Sequence, residues 1–535
     1  MKKTIIIISA LCLGIIAVTW LYFKKINAAK VSNEQIFTVL PPDASIIFEY
    51  KNEAYFYDIF KEFTLFGDIL GKDNINHLAA LKDIFINDAA IGSAFLQNDL
   101  FFSIHPTSQY VADILIVAPI VAENSDKESL INALRSKYKI SQSPAAENTI
   151  YQLAFNNKSA FSFFIYKNLL VGSFNESLVK KSIAQVEEGH NNSNFKVDFA
   201  TQRNKNSIAN LYINFSKIRD LANHFSSRKN PYETYFLKSI DASASLNINY
   251  QKNAFMFSGI TNPNLKAKNY FNLFLNQQPG DITLVKHLPY DVASYSLYYV
   301  SDYKKFKQEL KELLIYQKEY DKLKEQIESI STKHAINLDK EIMPVLGKEF
   351  GVFQLASGDE IGIVKTTNTK RLSFLLSTIS TEIATNIRRF DDSFILYNYF
   401  GDPFKRFRRP YYTTIENHLI VANSSTALNR FVANYKAQKL ISLTDKNIDF
   451  QQYLSNQGNI FYFIHNSNSK AIIRSFLSKS AYKNFRDSNF NWSAIYGFAI
   501  QFSADKDKFF TNLYMNHTPD NDELLPKIDS TALKY

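Results

Sequence analysis

The chain of 535 residues is short of the residues on which several common architectures depend. It has one cysteine, Cys12, so neither an intrachain disulfide nor a cysteine-based metal cluster can form. Glycine and proline are scarce, at 15 and 14, which excludes collagen-like repeats and long glycine-rich linkers. No two glycines are closer than four positions, so G-x-G occurs nowhere and a Rossmann dinucleotide loop is excluded. Gly67-Asp68-Ile69-Leu70-Gly71-Lys72-Asp73 superficially resembles a P-loop. It is one residue too short and puts Asp73 where a magnesium-binding Ser or Thr belongs. The nearest histidines, His77 and His105, are 28 positions apart, so no H-x-x-x-H or H-E-x-x-H pattern exists. G-x-S-x-G is absent, and the Ser-x-x-Lys pairs Ser177–Lys180 and Ser480–Lys483 fall on segments patterned as surface helices. Sequence motifs therefore nominate no catalytic residue, no cofactor and no metal ligand.

What is present is globular in character: 46% hydrophobic and 21% charged residues. The 61 basic and 51 acidic side chains leave a net charge of +10, mild for this length and read as solubility rather than a polyanion surface. Thr4–Phe23 is an uncharged apolar run flanked by Lys2-Lys3 and Lys24-Lys25, with Trp20 and Tyr22 near its end. As a helix, 20 residues span about 30 Å, a bilayer's hydrocarbon thickness. The run is longer than the apolar core of a secretory signal, and no small-residue cleavage site directly follows it. We expect an uncleaved inner-membrane anchor, with the short basic tail cytoplasmic and the body in the periplasm.

The body repeats. FTVLPPDASIIFEY (37–50) matches TLVKHLPYDVASYSLYY (283–299), with Leu40 answering Leu288. LLVGSFNESL (169–178) matches LIVANSSTAL (419–428), and NLYINF (210–215) matches IFYFIH (460–465), both at an offset of 250. Leu246, Ile248 and Tyr250 answer Phe498, Ile500 and Phe502 in the alternation of half-buried strands. Ordered matches at near-constant offset imply tandem duplication. The expected organisation is an anchor over 1–30, a first repeat over 31–265, a bridge over 266–282, a second repeat over 283–518 and a polar tail over 519–535. The fold class is α+β, two tandem copies of a mostly antiparallel sheet with packed helices. Asn175 is placed to cap the helix that follows it. The second copy carries a longer helix over about 303–330, and the bridge reads as a short helix.

One cluster stands out chemically. Phe404-Lys405-Arg406-Phe407-Arg408-Arg409-Pro410-Tyr411-Tyr412 interleaves four cations with four aromatics, where the first copy has only the Asn156-Asn157-Lys158 turn. Arginine forks suit phosphate or carboxylate, and aromatics suit a membrane interface. Lys405, Arg406, Arg408, Arg409, Tyr411 and Tyr412 are thus candidates for contact with an anionic lipid, a glycan or an acidic envelope protein. The competing reading is a long hairpin whose aromatics face the sheet and whose cations face water. Nucleic acid is not an expected partner outside the cytoplasm.

LPPDAS (40–45) after a lone anchor, LPYDVA (288–293) and IMPVLGKEFGVF (342–353) resemble an uncharacterised family of bacterial membrane-anchored envelope proteins, a domain of unknown function. The resemblance implies no catalytic residues. The expectation is a non-catalytic binding or scaffold module in the periplasm. The alternative is an anchored hydrolase of an envelope polymer or lipid, its site assembled only in three dimensions.

Overall fold

A computed structural model of the protein describes residues 33–51, 68, 71–95, 99–107, 112–120, 127–156, 159–189, 207, 209–227, 236, 239–251, 254–486 and 491–517. The apolar segment Thr4–Phe23 and the tail 519–535 lie outside them. Among the described residues no helix is long and apolar enough to cross a membrane. The fold is α+β. The chain divides into two compact units: unit 1 is Met1–Glu62 with Asp73–Tyr212, and unit 2 is Phe63–Lys72 with Ile213–Tyr535.

In unit 1 the strands are β1 (Ile46–Lys51), β2 (Asp99–Pro106), β3 (Ala112–Pro119), β4 (Ile140–Ala145), β5 (Asn148–Asn156), β6 (Ser159–Tyr166), β7 (Leu169–Ser173) and β8 (Ala209–Asn214). They lie side by side as β4-β5-β6-β7-β3-β2-β1-β8. Alternation along each strand sends Ile47, Phe101, Leu115, Val117, Leu169 and Val171 to one face. There they form a core with the helices Asn33–Val39 and Glu176–Glu187. Asn175 caps the second helix, its side-chain oxygen accepting from the Ser177 N–H at 3.0 Å. Glu49 is buried in this unit and accepts from Tyr212 Oη at 2.7 Å and Asn210 Nδ2 at 3.0 Å.

Unit 2 begins with the hairpin β9 (Ala242–Gln251) and β10 (Ala254–Pro263). A two-residue pair, β11 (Gly280–Asp281) with β19 (Gln457–Gly458), stands apart from the main ladder. The remaining strands are β12 (Val292–Tyr299), β13 (Leu346–Leu355), β14 (Glu360–Thr366), β15 (Ser380–Ala384), β16 (Ile387–Phe390), β17 (Tyr411–Ile415), β18 (His418–Ala422), β20 (Ile460–His465), β21 (Ile495–Asp505) and β22 (Lys508–His517). Their order is β9-β10-β22-β21-β20-β12-β13-β14-β18-β17-β16-β15. The run β12-β13-β14-β18-β17-β16-β15 pairs as β1-β2-β3-β7-β6-β5-β4 does in unit 1. One face of it packs on the helix Ser425–Lys436 through Leu428 and Phe431.

Within unit 2 the hairpins β9–β10 and β21–β22 meet about a local twofold. β10 pairs with β22 so that Ile260 lies opposite Phe510, and these residues are 250 positions apart. Thr261 and Thr511, also 250 apart, share a hydroxyl hydrogen bond of 2.7 Å. Nearby, Ser227 N donates to Phe476 O at 2.8 Å and Ser478 N donates to Phe225 O at 2.9 Å. Ser478 stands 251 positions beyond Ser227 and Phe476 the same distance beyond Phe225, so the two bonds exchange equivalent residues, the reciprocity expected of an isologous contact.

The structure corrects one sequence expectation and specifies two others. The helix expected over 303–330 is two helices, Tyr303–Tyr316 and Tyr320–His334, because Lys318 between them adopts a left-handed conformation (φ 61°). The short helix of the bridge is the 3-10 helix Phe271–Phe274, anchored by the buried rings of Tyr270, Phe271 and Phe274, and the bridge ends in β11. The basic stretch 404–412 lies at the end of the long connection, residues 391–410, between the antiparallel strands β16 and β17 and in the start of β17, with the rings of Phe404 and Phe407 buried as the hairpin reading expects. It runs irregularly from the 3-10 turn Asp402–Phe404 into β17, and the tight hairpin that follows is β17–β18, turning at Glu416-Asn417.

Candidate functional site

The second face of the unit 1 sheet carries Tyr50, Leu100, Phe102, Ile116, Ala118 and Leu170. Over it run the helix Lys72–Lys82 and the turn Asp83–Asn87, which contribute Ile75, Leu78, Leu81, Phe85 and Ile86. The two layers do not close. They leave a cavity of about 480 Å³, within the ~300–1,000 Å³ range of small-molecule pockets. Its walls are hydrocarbon and ring: Tyr50 stacks on Phe102 at 5.3 Å, and Phe85 meets Phe95 edge-on at 5.5 Å. Among the described residues the charged side chains on its lining, Lys82 and Asp83, both come from the covering layer. Such a lining solvates an alkyl or aryl body and offers polar groups for one end of a ligand.

The basic stretch is placed differently from an open anion site. Lys405 Nζ is bonded to the Glu319 carboxylate, and Arg406 donates to Glu360 at 2.5 Å. The Arg408 guanidinium lies 5.1 Å over the Phe394 ring, and Arg409 Nε donates to the Phe390 carbonyl at 3.4 Å. Tyr411 sits under Arg389 at 5.2 Å. Tyr412 is buried, shares a 2.7 Å hydrogen bond with Ser380 Oγ, and has its phenol pushed up by burial. Phe404 and Phe407 from this stretch are fully buried and lie on Gly362 of β14.

Two constellations had no motif to announce them. In unit 1, Asp43 Oδ1 lies 2.6 Å from His105 Nδ1, and His105 Nε2 lies 2.8 Å from Ser103 Oγ. Burial alone would raise the Asp43 carboxyl, but its bonds to His105 and Lys181 outweigh this and hold it below its ordinary range. The connectivity is that of a Ser-His-Asp relay. Ser103 and His105 are both 0% exposed, however, and project from the strand face opposite the cavity. Asp43 belongs to the Leu-Pro-x-Asp element, the one signal that pointed toward this cluster.

In unit 2, one donor atom each of His287, Glu416 and His418 converge within 4.8 Å of one another. His287 ends the 3-10 turn Leu284–His287, Glu416 forms the β17–β18 turn, and His418 opens β18. The imidazole centroids are 4.1 Å apart. Burial pushes His418 down to about 4, helped by His287 and Lys365. Burial also lowers His287, against the pull of Glu416 and Glu349. Both rings are therefore neutral near pH 7. Glu416-x-His418 is the only local trace of the set in the sequence, since His287 arrives from 129 positions upstream. No protein-family model matches the chain, and no curated protein or solved structure matches it either.

Proposed function

We propose that the chain is a non-catalytic binding module of the bacterial envelope, anchored in the inner membrane by Thr4–Phe23 with its body in the periplasm. Two tandem copies, 31–265 and 283–518, make up that body, and unit 1 takes up the apolar part of an amphipathic molecule. The observation that carries the reading is the 480 Å³ apolar cavity of unit 1, set against the corresponding sheet face of unit 2, where Phe404 and Phe407 occupy the space. An apolar cavity of this size is a cost to stability unless something fills it. The matched strand pairings and the twofold bonds at offsets 250 and 251 support the tandem-copy reading. The Leu-Pro-x-Asp likeness to an uncharacterised envelope family is consistent with the location.

The test is native mass spectrometry of the protein extracted from membranes, followed by titration of the delipidated body with a fluorescent long-chain fatty acid. Saturable one-to-one uptake that Ala118→Phe abolishes is expected. Uptake that is absent, or indifferent to Ala118→Phe, would remove the reading.

The hydrolase alternative has one observation in its favour, the Asp43–His105–Ser103 relay, and the full burial of Ser103 opposes it. A fluorophosphonate probe separates the two. No labelling is expected, whereas labelling lost in Ser103→Ala would install the hydrolase instead.

A further inference from the structure

We propose that His287, Glu416 and His418 bind a divalent transition-metal ion of the zinc class, with a further coordination position open to solvent. Three observations converge on it. The first is the donor set: two imidazoles and one carboxylate, with donor atoms within 4.8 Å of one another. An ion with bonds of about 2.0–2.2 Å needs its donors roughly 3.3–3.6 Å apart, so only a small inward movement is required. Glu416 supplies it most readily, as the exposed member of the set on a tight turn.

The second is an orphaned ring nitrogen. His418 is 5% exposed, and its Nε2 has no hydrogen-bond partner. With its ring proton on Nδ1, an imidazole in this position offers the unpaired Nε2 to an ion. A buried nitrogen left without a partner is unfavourable, and a metal ion relieves it.

The third is access. A depression of about 450 Å³ lies beside His287 and Glu416, walled by Tyr435, Gln438, Leu440 and Ser442. It gives an entry path and room for water or a small ligand on the ion. Tyr435 Oη lies 3.2 Å from His287 Nδ1 and so holds one of the three ligands in place. The nearby cation Lys365 is already balanced, its Nζ lying 2.5 Å from the buried Glu349 carboxylate and 2.9 Å from Thr283 Oγ1. Nitrogen donors outnumber oxygen, which favours Zn²⁺, Cu²⁺, Ni²⁺ or Co²⁺ over Ca²⁺ or Mg²⁺.

The experiment uses tag-free full chain in detergent, stripped with a chelator and titrated with Zn²⁺ by calorimetry and with Co²⁺ by visible absorption. Tight binding of one Zn²⁺ per chain and Co²⁺ bands of a four- or five-coordinate site are expected. His287→Ala should weaken Zn²⁺ binding by about 100-fold, and Glu416→Gln by about 10-fold, with unchanged metal-free melting temperature and circular dichroism. Tyr435→Phe should give a smaller loss. A wild type that takes up neither ion overturns the proposal, as does a Zn²⁺ affinity indifferent to His287→Ala. Should His287→Ala misfold, the exposed Glu416→Gln decides the matter alone.

Discussion

The same sheet face is hollow in unit 1 and solid in unit 2, and the register of the strands shows why. In unit 1 a row across the sheet reads Phe102, Ile116, Gly172; in unit 2 the equivalent row reads Val352, Gly362, Val421. Each row has one glycine, on a different strand. At Gly172 a Cβ would stand 2.3 Å from Phe161 Cζ, a ring from the neighbouring strand of the same sheet. At Gly362 a Cβ would stand 2.8 Å from Phe404 Cε1 and 3.1 Å from Phe407 Cε2. Those rings belong to residues 391–410, inserted between β16 and β17, where unit 1 has only 157–158 between β5 and β6. Phe400, Phe404 and Phe350 then form a continuous ring cluster with the helix Tyr303–Tyr316 through Phe306. An insertion thus supplied a core on one side, and its absence left a cavity on the other.

Removing the plug should have the largest effect. Phe404→Ala and Phe407→Ala each empty a fully buried ring site, costing about 3–5 kcal/mol apiece. Urea denaturation should show a lowered midpoint for each and a further fall for the pair, which should also take up an apolar dye. A double variant of wild-type stability would break the comparison.

Acid comes next. His465 closes β20 in the second repeat, where the first repeat's matching segment ends in Phe215. Burial pushes His465 down to about 4, with Lys446 acting in the same direction. Its Nδ1 accepts from the Asn468 N–H at 3.2 Å and lies 3.2 Å from Ser467 Oγ, while the ring packs edge-on against Tyr496 at 4.6 Å. The unfolded chain binds this proton near pH 6.5 and the folded chain only near 4. Stability is therefore lost as pH falls between those values, by up to about 3 kcal/mol. His465→Phe should reduce the slope of that part of the stability–pH curve, leaving the share that His418 contributes, and an unchanged slope would remove His465 as a source. Filling the hollow by Ala118→Phe should change stability less, by about 1–3 kcal/mol in either direction, because the added ring enters existing space.

Much of this molecule was legible in the sequence because it rests on periodicity and caps. The alternation at 246–250 and 498–502 is β9 and β21, and the Asn175 turn is a helix cap. What pattern could not show was which ring fills which gap, since Phe161 and Phe404 read alike as apolar residues. Nor could it place His287 against His418, because their meeting depends on a 3-10 turn reaching the β17–β18 hairpin. The helix break at Lys318 hid for a related reason. Apolar residues recur on both sides of it, and the left-handed residue between them is an ordinary lysine.

The smallest effects separate the two readings of the basic stretch. Lys405 and Glu319 pair with side chains 45% and 35% exposed, so Lys405→Ser should cost under about 1 kcal/mol. Arg406 and Glu360 pair at 13% and 21%, so Arg406→Ser removes an ion pair that is partly shielded from water and should cost about 1–3 kcal/mol. If these cations chiefly fasten the Phe404–Phe407 plug to its unit, replacing Lys405, Arg406, Arg408 and Arg409 together with Ser should lower the denaturation midpoint. Binding to vesicles containing anionic lipid should then change little. The opposite pattern, intact stability with lost vesicle binding, would make the stretch a contact surface and leave the buried rings to hold the plug alone.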